Sequence, residues 1–202
     1  MRMTSSERTA LVATSVAAFL APFAGSSLNV ALPALGRDLD LGSQAQGWIA
    51  TIYLLAAAMF LLPFGRLADI IGRRRVFLVG LVASAVTQVA SALAPSSACL
   101  LAARALNGLA ISMTFGTGVA ILTSVFRPER RGQALGVNVG TVYVGLACGP
   151  FIGGVLTEHL GWRAAVLAPA ALALLATAVT AWGLRGEWAE ARGEGFDLPS
   201  AG

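Results

Sequence analysis

One arginine, Arg104, stands inside an apolar run that continues to about Val125. A charge at the centre of a bilayer costs about 2.5–3.5 kcal/mol even on the lenient insertion scale, so the position invites two readings. In one, the long side chain snorkels to a headgroup layer. In the other, it faces a cavity, where it hydrogen-bonds a neighbouring helix and biases protonation or an anionic ligand. Asn107 follows at i+3 and Thr114 seven further on, which places a polar stripe along one side of a helix. Ser26, Ser27 and Asn29, and Asn138, Thr141 and Tyr143, could complete a lining; singly, each also suits interhelical hydrogen bonding.

A second group is the stretch GRLADIIGRRR, Gly65 to Arg75. Gly65 and Gly72 permit a tight connection where side chains would clash. Asp69 can accept backbone amide hydrogen bonds or pair with Arg73, while Arg74 and its neighbours suit anionic headgroups. A third group is glycine: Gly145, Gly149 and Gly153 recur every four residues, with Gly136 and Gly140 spaced likewise. Such spacing lets two helix backbones approach closely, and Pro150 can bend the helix at that contact.

Enzyme chemistry finds little footing. No glycine-rich loop ends in Lys followed by Ser or Thr, so a nucleotide site is not expected. His159 is the single histidine, which leaves Ser26 and Ser27 without a base at membrane depth and offers no metal-ligand cluster. Cys99 and Cys148 both fall in apolar segments and read as small buried side chains. No catalytic residue, cofactor or metal is expected.

The elements that must hold these groups follow from composition. Of 202 residues, 56% are hydrophobic and 12% charged, with a mean hydropathy of +0.75, against about a quarter charged in a soluble domain. The chain has room for about six spans of about 20 residues. We read an all-α polytopic membrane protein: residues 1–9 before the bundle, a six-helix bundle over 10–184, and a polar tail or start of a linker over 185–202. The apolar heart of the first helix runs from Ala10 to Leu32, the second from Leu41 to Gly65, and the third begins at Val76. Pro95, Ser96 and Ser97 divide the third helix from the fourth, while Gly132–Thr157 and Ala164–Leu184 supply the fifth and sixth.

All fourteen basic residues are arginine. They lie mostly in loops between apolar runs, which argues for a lipid surface and against nucleic acid. One set of loops holds Arg2, Arg8, Arg66, Arg73, Arg74, Arg75, Arg127, Arg130, Arg131, Arg185 and Arg192, and the other only Arg37 and Arg163. The positive-inside rule then puts both termini in the cytoplasm of a plasma membrane.

The chain also repeats itself. GRLADIIGRR matches GVLTEHLGWR at an offset of 89, pairing Gly65 with Gly154, Asp69 with Glu158, Gly72 with Gly161 and Arg74 with Arg163. The repeats, about 10–95 and 97–184, hold three helices each, so the second copy is inverted relative to the first. Inverted three-helix repeats are a feature of secondary transporter folds.

The glycine–aspartate–glycine–arginine loop resembles the signature between helices two and three of the major facilitator superfamily. LLAARALNGLA, Leu100 to Ala110, looks like that family's arginine motif on helix four, and GLACGPFIGG, Gly145 to Gly154, its antiporter motif on helix five. SSLNVALP, Ser26 to Pro33, is similar to the first helix of the fourteen-span multidrug:proton antiporter branch. The resemblance implies an efflux-type secondary transporter that moves a small molecule, with proton exchange as the family's coupling, and assigns the helix-five glycines to control of leak and direction. Three positions depart from the pattern: Ile70 replaces a basic residue, Asn107 stands where glutamine is common, and Ala24 where a membrane aspartate is usual. No apolar segment contains Asp or Glu. The likeness covers one six-helix half, so the expectation is either a truncated chain with a second six-helix bundle to follow or a parallel homodimer of halves. The alternative is a non-transporting remnant or a partner of another transporter.

Overall fold

The computed structural model describes residues 3–184, and the expected tail or linker over 185–202 lies outside them. Six helices account for nearly all of it: α1 (Ser5–Asp38), α2 (Ser43–Ile71), α3 (Arg73–Ala92), α4 (Ser97–Val125), α5 (Pro128–Leu160) and α6 (Trp162–Gly183). All six are long and apolar enough to cross a membrane, and the protein is a multi-pass membrane protein whose outer surface is solvated by lipid. Leu62 and Trp182, each 82% exposed, stand on the outside of the bundle.

The helices outrun the charge-free stretches that announced them. α1 begins before Ala10 because Thr4 and Glu7 form a reciprocal capping box, with the Thr4 amide donating to Glu7 Oε2 at 2.8 Å. α5 starts four residues early because Pro128 takes the first-turn position, where its missing N–H costs nothing. α2 likewise continues through the first residues of the signature stretch to Ile71. Helix ends can leave the apolar layer; apolar runs report only the part that stays inside it.

The inverted repeat is visible in the packing. α1 packs most extensively on α5, and α4 on α2; α3 lies on α4, and α6 on α1; α1 meets α4 and α3 meets α6 across the centre. Exchanging the first three helices for the last three leaves that pattern unchanged. The helix boundaries obey the same offset: α2 ends at Ile71 and α5 at Leu160, α3 begins at Arg73 and α6 at Trp162. Between them sit Gly72 (φ 114°) and Gly161 (φ 85°), the two positive-φ glycines among the described residues. A side chain at either would be strained.

Small residues set the closest crossings. A Cβ on Gly145 would lie 2.5 Å from the Phe19 carbonyl oxygen, one on Gly149 2.9 Å from Ser26 Cβ, and one on Gly153 2.7 Å from Ser27 Cα. The crossing of α4 on α2 repeats the design with the glycine on the other partner, since a Cβ on Gly108 would meet the Tyr53 carbonyl oxygen and stand 2.8 Å from Ala56 Cβ. Gly136 and Gly140, by contrast, have nothing near them.

Candidate functional site: a cavity between four helices

Because α1 is drawn onto α5 and α4 onto α2, the space between the two pairs is left partly unfilled. It forms a cavity of about 470 Å³ that reaches from the middle of the bundle toward its arginine-poor end. α1 lines it with Ala21, Pro22, Gly25, Ser26, Leu28 and Asn29; α2 with Ala50, Tyr53, Leu54, Ala57, Ala58 and Leu61; α4 with Arg104, Ile111, Ser112 and Phe115; and α5 with Val142 and Leu146. The wall is overwhelmingly hydrocarbon, and its size falls within the range of small-molecule sites, about 300–1,000 Å³.

Arg104 is the charged residue in that wall. It is only 2% exposed, which discards the snorkelling reading, and its guanidinium lies 4.5 Å from the centre of the Tyr53 ring. The ring face offers a cation–π contact, but Nε is buried without a hydrogen-bond acceptor, and the described residues place no carboxylate within ion-pair reach. The hydroxyls nearby are already engaged along their own helices: Ser26 donates to the Pro22 carbonyl at 2.7 Å and Ser112 to the Leu109 carbonyl at 2.7 Å.

Two residues expected on the pathway, Asn29 and Arg104, therefore meet in this cavity, and three lie elsewhere. Thr114 lines a much smaller cavity on the arginine-rich side with Thr14, Gly118 and Asn138, and Phe115 borders both spaces. Asn107 is fully buried against α3, where its amide donates to Thr87 Oγ1 at 2.8 Å. Tyr143 is 67% exposed on the outside of α5. The geometry of α4 explains the difference: at about 100° per residue, Ile111 and Phe115 fall within about 20° of Arg104, whereas Asn107 and Thr114 are turned about 60–80° toward α3. Tyr53, Ser112 and Phe115 were not singled out from sequence, although Ser112 and Phe115 stand two and three turns beyond Arg104 on its own helix.

The signature stretch folds as a clamp at the arginine-rich end. Arg73, 6% exposed, donates through Nε to Asp69 Oδ1 at 2.9 Å, pairs with it again through a second nitrogen at 2.8 Å, and reaches Ser124 Oγ at 2.6 Å and the Ala120 carbonyl at 3.4 Å. Arg74 donates to the Ala181 carbonyl at 3.1 Å. The α2–α3 junction thus grips the last turns of α4 and α6. Gly72 supplies the bend, while Gly65 faces open space. On α5, Gly145, Gly149 and Gly153 make the tight seam with α1, whereas Gly154 has only ordinary contact with Val30 and Pro150 is exposed.

The sequence itself matches known proteins. Residues 14–199 match the family model described as Major Facilitator Superfamily. The chain is 39% identical to the cephamycin export protein of Amycolatopsis lactamdurans over 98% of its own length and 41% of that protein's. It is 37% identical to the puromycin resistance protein of Streptomyces alboniger, covering 82% of the chain and 33% of the relative. The tetracenomycin C resistance and export protein of Streptomyces glaucescens is 35% identical over 76% of the chain and 29% of the relative. The chain spans less than half the length of each of these relatives. With its six spans in two inverted triplets, its clamp at the α2–α3 junction and a match over nearly its whole length, the chain belongs to the major facilitator superfamily.

Proposed function

We propose that this bundle is one half of a secondary active exporter of small organic molecules, in which the α1–α2–α4–α5 cavity is the half-site facing the substrate. The observation that carries the reading is Arg104, a cation held at membrane depth without a carboxylate partner among the described residues, in the wall of an otherwise apolar space. A purely structural bundle gains nothing from that charge, and its burial is costly. Resistance and export relatives supply the direction of movement.

The bundle is a single domain over 10–184, with repeats over about 10–95 and 97–184. Alternating access needs a second bundle parallel to it, furnished either by a further six helices or by a second copy of this chain. The arginine-rich end lies in the cytoplasm of the plasma membrane, with both termini there. The machinery is transport and not catalysis. Proton exchange is the coupling implied by kinship, and with no Asp or Glu in the apolar segments a proton-carrying carboxylate would come from the second bundle. Asp69, Gly72, Arg73 and Arg74 lock the inner end in one of the alternating states, Asn29 and Arg104 contact substrate, and the Gly145–Gly153 seam sets how closely α5 follows α1.

The test is flux in proteoliposomes carrying the chain, paired with crosslinking in native membranes. A crosslinked dimer with substrate-dependent pH change, lost on Arg104→Ala, supports the homodimer. Full flux in Arg104→Ala removes the role given to Arg104. Absence of both dimer and flux contradicts action by two copies of this chain.

A further inference from the structure

The cavity also specifies the charge of what it holds. We infer that its ligand is an amphipathic organic anion, an apolar body carrying one carboxylate, sulfonate or phosphate, seated with that group on Arg104. This deepens the transport reading and rests on it.

The argument runs on what the wall offers and what it lacks. A guanidinium carries five N–H donors in a fixed fork and accepts none. Here the Nε hydrogen has no acceptor although it is buried, and the ring of Tyr53 satisfies the charge through its face without taking any N–H. A buried donor on a charged group left in that condition is costly, and an oxyanion is the acceptor that matches the fork two bonds at a time. No residue of the described protein plays that part: Nε has no hydrogen-bond partner among the described residues, and no carboxylate there lies within ion-pair reach.

The rest of the wall sets the body of the ligand. Apart from Arg104 and Asn29 it is mostly alanine, leucine, isoleucine and phenylalanine, so a second charge would be desolvated without compensation. A cationic drug would fare worse, because the wall contains no Asp or Glu and presents a like charge at its most polar point. On this bundle's side of the site, selection for anions is thus built from one attractive group and the absence of any other.

Two probes that share a ring system isolate the charge: 8-anilinonaphthalene-1-sulfonate and its uncharged counterpart N-phenyl-1-naphthylamine. Equilibrium binding of each is measured to the full chain in lipid nanodiscs, with empty nanodiscs subtracted. Saturable binding of the sulfonate at least about tenfold tighter than its neutral twin, with the ratio collapsing toward one in Arg104→Gln and partly restored in Arg104→Lys, supports the inference. Ala58→Trp, which fills the cavity, should abolish saturable binding of both. Equal affinities in the unaltered chain, or a preference that survives Arg104→Gln, overturn the anion assignment while leaving the cavity a ligand site. No saturable binding of either probe overturns the assignment and tells against the transport reading as well. The comparison of twins on the unaltered chain stands even where a variant fails to fold.

Discussion

The α2–α3 and α5–α6 junctions are the same device built twice with different side chains. Each ends a long helix, turns on a positive-φ glycine and starts the next helix one residue later. Each also reaches across to the far end of the other repeat's first helix. At the arginine-rich end, Arg73 carries the load, tying Asp69 on its own side to Ser124 of α4. At the opposite end, Trp162, which occupies the repeat position of Arg73, donates to Asp38 Oδ2 at 3.0 Å on α1, and Arg163 joins the same oxygen at 2.7 Å while lying over the Trp162 ring at 4.3 Å. The carboxylate has moved from the junction to the helix it grips, and Glu158, at the repeat position of Asp69, is exposed. A fold with inverted symmetry can therefore keep backbone geometry at both ends and still assign unequal strengths: the first clamp is largely buried, the second half exposed, with Arg163 and Asp38 at 47% and 46%.

That inequality can be broken in graded steps. The largest effect is expected away from the clamps, at the α1–α5 seam: Gly149→Leu places a side chain in the space of Ser26 and Phe23, costing about 3 kcal/mol or forcing α5 off α1, read as loss of folded protein on thermal unfolding in detergent. Arg73→Ala comes next, at about 2–3 kcal/mol, because Asp69 loses its partner in a partly buried setting; chemical denaturation of the purified chain measures it. Gly72→Ala and Gly161→Ala should each cost about 1–3 kcal/mol through backbone strain, and similar values at the two positions would show that the junctions share a backbone requirement despite their different side chains. Asp38→Asn should have the smallest effect, a slight fall in melting temperature that vanishes in high salt, since that pair is exposed and screened. A drop for Asp38→Asn as large as that for Arg73→Ala would erase the distinction.

Much of this was legible in the sequence. Six spans follow from hydropathy, and the offset of 89 between GRLADIIGRR and GVLTEHLGWR marks both junction glycines. The glycine seam was legible for Gly145, Gly149 and Gly153 because spacing of four is itself a packing geometry; that Gly136 and Gly140 meet nothing depends on where α1 crosses α5, which spacing does not encode. The lining was harder. Polarity suggested Asn107, Thr114 and Tyr143, yet a polar side chain in a membrane bundle is as well placed between helices as in a cavity, and Asn107 took the former course with Thr87. Nothing in the sequence marks Tyr53, which sits in an uninterrupted apolar run on α2; only the approach of α4 gives it a partner.

The account depends most on the cavity being a water-accessible space at membrane depth, and thiol accessibility tests that directly. With Cys99 and Cys148 replaced by serine, single cysteines at Asn29 and Ala58, two exposed residues of the cavity wall, should react with a membrane-impermeant maleimide in intact vesicles. A cysteine at Leu62, exposed on the outside of the bundle and away from the cavity wall, should not. Failure of Asn29→Cys and Ala58→Cys to label from either side of the membrane, or labelling no faster than Leu62→Cys, would contradict it.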